Sequence, residues 1–268
     1  MQTLLTQFGF LSLRGRDAVK FLQGYTTCDL DDLDNQVCLK GAICNIQGRM
    51  VTSFRIIRLS DEGLLLRMHC DLLQATVDFL SKYIVFSKAT LQIESEYHCV
   101  ATWLEEEQPI DTVVQDQDSY LISCGEGRFE RWTEATVPIE PTLNEDWKNA
   151  DINGGLAWVA PATSEAFLPQ MYNYHNVSAI SFSKGCYLGQ EIVARAQYKG
   201  QLKRQLFRGM QIEAAPLSAG DTLDGVDGRI AGTVVATSKT QLLAVLSGQE
   251  PTTVNIGDQQ IRVYPVIG

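Results

Sequence analysis

Strand-like and helix-like hydrophobic patterns alternate along the N-terminal third of the chain, and no glycine-rich nucleotide-binding loop joins them. Residues 8–14 (FGFLSLR) predict a strand, and residues 15–24 (GRDAVKFLQG) predict a short helix that ends at a glycine. Residues 42–59 predict a hairpin, and apolar side chains recur at helical spacing over residues 71–84, with Asp71 as the predicted cap. Without a G-x-G-x-x-G or P-loop sequence, this alternation favours an α+β fold over a doubly wound nucleotide-binding sheet.

The C-terminal quarter carries short strand patterns at close spacing and no helical period. Turn-forming residues in segment 224–228 (DGVDG) separate two of these patterns. Closely spaced short strands are typical of a small closed barrel. The sequence therefore predicts a β-barrel from about residue 203 to the end of the chain.

Charge and hydropathy limit the classes of partner. The chain has 22 basic and 32 acidic residues, and its net charge of -10 opposes general attraction to a phosphate backbone. The N-terminal segment lacks a basic start followed by a long apolar run, and no apolar run is long enough to span a bilayer. We therefore expect a cytoplasmic protein that binds neither nucleic acid directly nor a membrane.

Seven cysteines are spread along the chain without a C-x-x-C pair, so neither a disulfide framework nor a zinc knuckle is predicted. Two of them follow a histidine, in the pairs His69–Cys70 and His98–Cys99. Both pairs lie in strand-like contexts, where adjacent side chains point to opposite faces, so neither pair is predicted to bind a metal ion. Six cysteines are expected to be small hydrophobic residues, and only Cys186 has a distinctive setting.

Cys186 lies between two glycines in residues 184–191 (KGCYLGQE), just before a helix-like run. The glycines permit sharp bending of the backbone, and Lys184 can lower the pKa of the thiol and favour the thiolate. A helix beginning near Gln190 would place its positive end beside the thiol. The alternative is a buried cysteine in a glycine-bounded turn.

The segment 182–195 (FSKGCYLGQEIVAR) is the most specific stretch of the sequence. On this segment the chain resembles the YgfZ-type folate-binding proteins, relatives of the aminomethyltransferase (T-protein) of the glycine cleavage system. The motif positions are Lys184, Gly185, Cys186, Tyr187, Gly189, Gln190 and Glu191. Weaker landmarks of the same resemblance lie at residues 15–24, 48–50, 82–88 and 167–173.

The resemblance implies an α+β, aminomethyltransferase-like fold with three modules around a central channel. The implied modules are residues 1–44 with 140–202, an interleaved module of residues 45–139, and a C-terminal β-barrel of residues 203–268. Bound tetrahydrofolate or a derivative is also implied, between two aromatic positions that fall on Phe8 and Trp147. Phe8 replaces a tryptophan associated with its position, so stacking is kept while the indole N–H is lost. Ordinary core packing is the alternative for both aromatic side chains.

Thr52 and Ser53 occupy the region in which aminomethyltransferases of this fold carry an acidic pair. A hydroxyl group holds no charge near neutral pH and cannot replace a carboxylate as an acid or base. We therefore expect aminomethyl transfer to be absent, while the fold and the folate pocket persist.

The resemblance further implies a role in the assembly or repair of iron–sulfur proteins, including tRNA methylthiotransferases. Cys186, with Lys184, Gln190 and Glu191 nearby, is then the candidate reactive thiol and a candidate transient ligand of an iron–sulfur cluster. One alternative is a tetrahydrofolate-dependent one-carbon transferase or demethylase that uses Cys186 or Glu191. Another is a non-catalytic interaction module, in which Lys184 pairs with Glu191 and Gln190 satisfies backbone groups.

Overall fold

The structure, a computed structural model, describes residues 1–200, 202–211 and 216–266. Gln201, residues 212–215 and residues 267–268, which fall within the predicted modules 140–202 and 203–268, lie outside the described residues. The described residues form strands β1 to β16: Gln2–Leu4, Phe8–Arg14, Leu39–Cys44, Met50–Ser60, Gly63–His69, Thr90–Ile93, His98–Trp103, Val113–Asp116, Ser119–Gly125, Arg128–Thr133, Arg204–Met210, Thr222–Gly225, Ile230–Thr237, Gln241–Ser247, Thr252–Ile256 and Gln259–Pro265. The α-helices of the same residues are α1 to α4: Ala18–Gln23, Leu73–Ser81, Pro141–Asn153 and Gln190–Tyr198.

The strands form two open sheets and one barrel. The first sheet has the order β3-β4-β5-β2-β6, and the second has the order β1-β7-β10-β9-β8. Strands β11-β14-β13-β12-β15-β16 close into a barrel, whose interior is filled by apolar side chains such as Phe207, Leu242 and Leu246. The predicted α+β class and the predicted C-terminal barrel are confirmed.

Helices α1 and α2 cover one face of the first sheet, because each presents apolar side chains at helical spacing. Phe21 and Leu22 of α1 and Leu73 and Leu80 of α2 are buried against strand residues such as Leu66. Burial of each such side chain is worth about 1.5–3 kcal/mol relative to exposure. In the described part of the chain, no helix combines the length and the apolar character needed to cross a membrane.

The predicted helix over residues 71–84 is divided by short 3-10 segments. In order along the chain these elements are the 3-10 turn Cys70–Leu72, helix α2, and the 3-10 turn Ile84–Phe86. Asp71 lies inside the first turn, so the prediction that it caps the helix is wrong. His69 caps this 3-10 turn, because its Nδ1 accepts the Asp71 backbone N–H at 3.3 Å, and Leu72 occupies the N-cap position of α2. Because β5 ends at His69, the side chains of His69, Cys70 and Asp71 converge, contrary to the expected alternation of faces.

Helix α3 positions the side chains that matter most for the candidate site. It begins at Pro141, whose fixed φ and missing N–H suit the first turn of a helix. Its buried face carries Trp147, and the Ser238 hydroxyl of the barrel donates to Asn149 on the helix at 2.6 Å. The helix therefore lies against the barrel and β1, with Trp147 held at this junction.

Candidate functional site

A cavity of about 330 Å³ opens where the first sheet, α3 and the barrel meet. Phe8 begins β2 and Trp147 lies on α3, so the fold brings together the two aromatic positions paired in the sequence analysis. The lining residues are Thr6, Gln7, Phe8, His69, Trp147, Lys148, Asp151, Ile152, Leu156, Trp158, Ala236 and Thr237.

Trp158 is a third aromatic side chain of this cavity, and it was missed in the sequence analysis. Its ring lies 6.3 Å from that of Phe8, centroid to centroid, at an interplanar angle of 85°. The indole N–H groups of Trp147 and Trp158 are buried and have no hydrogen-bond acceptor among the described residues. Trp158 therefore provides, next to Phe8, the type of donor that Phe8 lacks. It follows α3 in a segment without a helical or strand pattern, so no periodic signal marks it.

Asp151 supplies a carboxylate to the cavity wall, one helical turn after Trp147. Its Oδ1 accepts a hydrogen bond from Arg128 Nη1 at 3.0 Å, and the guanidinium lies 4.9 Å from the centre of the Trp147 ring. Burial raises the pKa of the Asp151 carboxyl, although the positive charge of Arg128 opposes this shift. At the wall Lys148 adds an ammonium group, which pairs with Glu145 at 2.7 Å.

A second cavity, of about 410 Å³, shares Asp151 and Leu156 with the first. Lys40 and Arg55 line it, and both form ion pairs with Asp111; the Arg55 Nη1 to Asp111 Oδ1 distance is 2.6 Å. Basic side chains therefore lie next to the aromatic cavity, across a shared wall. A ligand with a flat ring and an anionic end would find complementary groups in both cavities.

Thr52 and Ser53 are fully buried on β4 and do not line either cavity. The Ser53 hydroxyl accepts the backbone N–H of Val159 at 2.8 Å, which fixes the segment leading from Trp158. Both hydroxyl groups thus lie within the protein interior, and the serine has a structural partner. The structure places no acid or base at these two positions.

The Lys184 ammonium group binds a loop that is distant in sequence, and it does not face solvent beside the thiol. Its Nζ donates to the backbone oxygens of Gln23 at 2.8 Å, Thr26 at 2.9 Å and Cys28 at 2.7 Å. Burial lowers the pKa of the Lys184 ammonium, although nearby groups, first of all Cys28, oppose this shift. These hydrogen bonds give Lys184 a structural role, and the expectation that it activates Cys186 stays a prediction.

Gly189 and Gln190 shape the end of the motif. Gly189 has φ +82°, and a Cβ there would clash with the backbone oxygen of Asn45, so a glycine is required. Helix α4 begins at Gln190, whose side chain donates to the Gly185 carbonyl at 3.3 Å. Glu191 is exposed in the first turn of α4, and among the described residues it forms no ion pair with Lys184.

Cys186 is exposed, whereas the other six cysteines are buried or half-buried. It lines a surface depression of about 580 Å³. The rings of Tyr25 and Tyr83, 5.0 Å apart, lie in the same depression with the exposed side chains of Ile46 and Ile192. The buried Tyr187 ring lies below this surface, with Lys184 Nζ 5.3 Å from its centre.

The thiol surface and the aromatic cavity are separate. The residues that line the Cys186 depression belong to the segments around 24–25, 46, 83 and 186–192, and none of them lines the cavity that contains Phe8 and Trp147. The structure therefore brings together the two predicted aromatic positions, and it brings together the motif positions, but it keeps these two groups apart.

No protein-family model matches the chain. The tRNA-modifying protein YgfZ of Colwellia psychrerythraea is 32% identical over an alignment 260 residues long, which covers 87% of this chain and 79% of that protein. The tRNA-modifying protein YgfZ of Pectobacterium carotovorum is 30% identical over an alignment 301 positions long with its gaps, which covers 98% of this chain and 90% of that protein. An uncharacterized protein of Haemophilus influenzae is 34% identical over 205 residues, which cover 76% of this chain and 71% of that protein.

Among solved structures, the glycine cleavage system aminomethyltransferase T from Bartonella henselae superposes with a TM-score of 0.73. The superposition covers 99% of this chain and 84% of that chain, at 14% sequence identity. At this identity the likeness shows the fold, which is the aminomethyltransferase-like fold expected from the sequence.

Proposed function

The chain belongs to the YgfZ family of tRNA-modifying proteins, and from this premise we propose that it is a tetrahydrofolate-binding accessory protein. In this role it supports the assembly or repair of iron–sulfur enzymes that modify tRNA, such as tRNA methylthiotransferases. The observation that carries the proposal is the separation of an aromatic, carboxylate-containing cavity from an exposed cysteine on another surface.

The first cavity has the chemistry that a reduced folate requires. The pterin ring is flat and presents adjacent N–H donors, which match aromatic walls and the carboxylate of Asp151. The glutamate end of folate is anionic, and Lys148 and the basic groups beyond Asp151 can neutralise it. We assign the ligand as tetrahydrofolate or a derivative on this complementarity and on family membership.

Aminomethyl transfer is not part of the proposal. Thr52 and Ser53 are uncharged and buried, and neither lines the cavity. Asp151 lies in the cavity, but its hydrogen bond to Arg128 favours a role in ligand binding. The proposed protein therefore binds folate without carrying out the reaction of the aminomethyltransferases.

The exposed thiol of Cys186 is suited to a partner protein. Iron–sulfur clusters are held by several cysteine thiolates, so one thiol requires further ligands from elsewhere. The apolar side chains around it, Tyr83, Ile46 and Ile192, give a partner surface on which to pack. The net charge of -10 disfavours direct binding of tRNA, so the proposed effect on tRNA passes through the client enzyme.

A tetrahydrofolate-dependent one-carbon transferase or demethylase that uses Cys186 is the second candidate. It is favoured by the exposure of the thiol, which a passive folate-binding protein does not need. It is disfavoured because the thiol does not line the aromatic cavity, whereas a nucleophile has to lie within reach of the group it attacks.

Replacement of Asp151 by Asn should weaken tetrahydrofolate binding by about 10- to 100-fold, the value expected when a charge-assisted hydrogen bond is lost. Calorimetric titration of the purified chain measures this change. Asp146→Asn is the matched control, because Asp146 lies on the same helix, is exposed, and does not line the cavity. If Asp151→Asn binds tetrahydrofolate with wild-type affinity, the Asp151 carboxylate is not part of the binding site.

Replacement of Cys186 by Ser should reduce tRNA methylthiolation, in cells that lack their own copy of the protein, to the level of the empty vector. Affinity for tetrahydrofolate should stay at the wild-type value, because the thiol and the cavity share no lining residue. Ser60→Ala, at an exposed residue that lines neither the depression nor the two cavities, is the control. Normal methylthiolation in Cys186→Ser would contradict the accessory role, and a parallel loss of folate binding would favour the transferase.

A further inference from the structure

We propose that His69, Cys70 and Asp71 form a binding site for a divalent transition-metal ion, of which Zn²⁺ is the best match, at the wall of the aromatic cavity. One donor atom from each side chain lies within 4.8 Å of the other two. None of these residues belongs to the Cys186 motif, and the site does not depend on the proposed folate ligand.

The end of β5 is what brings the three side chains together. Consecutive side chains on a strand point to opposite faces, but β5 ends at His69 and a 3-10 turn begins at Cys70. The Cys70 backbone N–H donates to the Gln7 carbonyl at 3.0 Å, which fixes the turn against the start of the first sheet. The turn also packs closely on Gly9, where a Cβ would lie 3.4 Å from the Cβ of Cys70.

The separations of the donor atoms are close to those of a metal site. Cys70 Sγ lies 3.7 Å from Asp71 Oδ1, and His69 Nδ1 lies 4.0 Å from Asp71 Oδ2. Tetrahedral coordination with metal–ligand distances near 2.0–2.3 Å places neighbouring ligand atoms roughly 3.3–3.8 Å apart. None of the three side chains is fully buried, and small rotations enclose an ion once the Asp71 backbone N–H gives up its hydrogen bond to His69 Nδ1.

The donor set selects the class of metal. A thiolate, an imidazole and a carboxylate together suit Zn²⁺ and similar borderline ions, whereas Mg²⁺ and Ca²⁺ prefer oxygen ligands alone. Three protein ligands leave a fourth position for water or for another donor. Because His69 also lines the aromatic cavity, a donor atom of a molecule in that cavity can occupy this position.

The pair His98–Cys99 provides an internal comparison. Both residues lie within β7, where Cys99 is buried and His98 is half-buried. Their side chains therefore point to opposite faces, as the sequence predicts, and the described residues contain no donor cluster that includes them. The same dipeptide thus gives a metal site in one place and none in the other, because only the first stands at the end of a strand.

Titration of the reduced, full-length chain with Co²⁺, followed by displacement with Zn²⁺, tests the site. We expect one equivalent of Co²⁺ to give a thiolate-to-cobalt charge-transfer band that Zn²⁺ abolishes. Cys70→Ser should lose the band. Asp71→Asn, at an exposed side chain whose replacement leaves folding intact, should weaken Zn²⁺ binding by at least about 100-fold, since even outer partners of metal ligands contribute 10–100-fold.

His98→Gln and Cys186→Ser are the controls, and both should retain the cobalt band and the affinity for Zn²⁺. Circular dichroism of each variant excludes a loss of folding as the cause of lost binding. A band that persists in Cys70→Ser, a band that disappears in Cys186→Ser, or an unchanged Zn²⁺ affinity in Asp71→Asn would each overturn the assignment.

Discussion

Replacement of Glu130 by Gln should lower the free energy of unfolding by about 3–5 kcal/mol, the cost of leaving buried charges without their partner. Glu130, on β10 of the second sheet, is only 2% exposed. Its carboxylate accepts two hydrogen bonds from Arg67 of the first sheet, at 2.7 and 3.1 Å, and lies 3.3 Å from Arg55 Nε. The amide of glutamine has the same shape but no charge, so Arg67 would lose its carboxylate partner, and Arg55 would keep only Asp111.

The position of Arg67 makes this loss difficult to relieve. Arg67 is fully buried, with its guanidinium 3.9 Å from the centre of the Phe8 ring and 4.1 Å from that of Trp158. It cannot turn to solvent without displacing two aromatic walls of the cavity. We therefore expect Glu130→Gln to perturb the cavity as well as the contact between the sheets.

Urea unfolding followed by circular dichroism measures the effect. Glu134→Gln is the matched control, because Glu134 is exposed just after the same strand and should change stability by less than about 0.5 kcal/mol. If Glu130→Gln lowers the free energy of unfolding by less than about 1 kcal/mol, the ion pairs do not have the proposed strength, because a neutral hydrogen bond accounts for a loss of that size.

The same ion pairs make stability depend on pH. Burial raises the pKa of the Glu130 carboxyl, but the charges of Arg67 and Arg55 and the hydrogen bond from Trp132 outweigh it, so the pKa is lowered overall. A carboxyl with a lowered pKa stabilises the fold fully above its unfolded-state pKa, and this contribution is lost as the pH falls through its folded-state pKa. The difference in stability between wild type and Glu130→Gln should therefore be largest near neutral pH and shrink on acidification.

The sequence predicted local elements better than the contacts between them. The start of α4 at Gln190 could be predicted, because a glycine precedes a run of helix-forming residues. The meeting of Phe8 and Trp147 was expected only from the family resemblance, since nothing in the local pattern relates β2 to α3. Asp151 was missed because α3 has a weakly amphipathic sequence and was not predicted; once that helix is known, the spacing from Trp147 places both on one face.

Two contacts that the residue pattern did not reveal have a common physical origin. The expectation for His69 and Cys70 applied the strand rule one residue beyond the end of the strand. The expectation for Lys184 assumed that a cation acts on its neighbour in sequence. The hydrogen-bond acceptors of Lys184 lie far from it in sequence, in the loop from Gln23 to Cys28. In both cases the decisive information is where the backbone turns, which a residue pattern does not contain.

Replacement of Lys184 by Met should lower the free energy of unfolding by at least about 3 kcal/mol, because three backbone carbonyl groups lose a charged donor worth about 1–3 kcal/mol each. Methionine fills a similar space, so the loss reports mainly on the hydrogen bonds. Lys199→Met is the control, because Lys199 is exposed at the C-terminal end of α4 and its replacement should have little effect. Thermal and urea unfolding of the purified variants measure both changes.

The reactivity of Cys186 separates this structural role from thiol activation. If Lys184 acted on the thiol, Lys184→Met would shift the pH dependence of Cys186 alkylation towards higher pH and leave stability nearly unchanged. The contacts of Lys184 predict the reverse: stability falls, while the alkylation profile, measured under conditions where the variant is folded, stays that of wild type. Cys186→Ser should keep wild-type stability, because its side chain is exposed. A shifted alkylation profile without a loss of stability would restore Lys184 to the reactive centre; the opposite result assigns the lysine to the scaffold that presents the thiol.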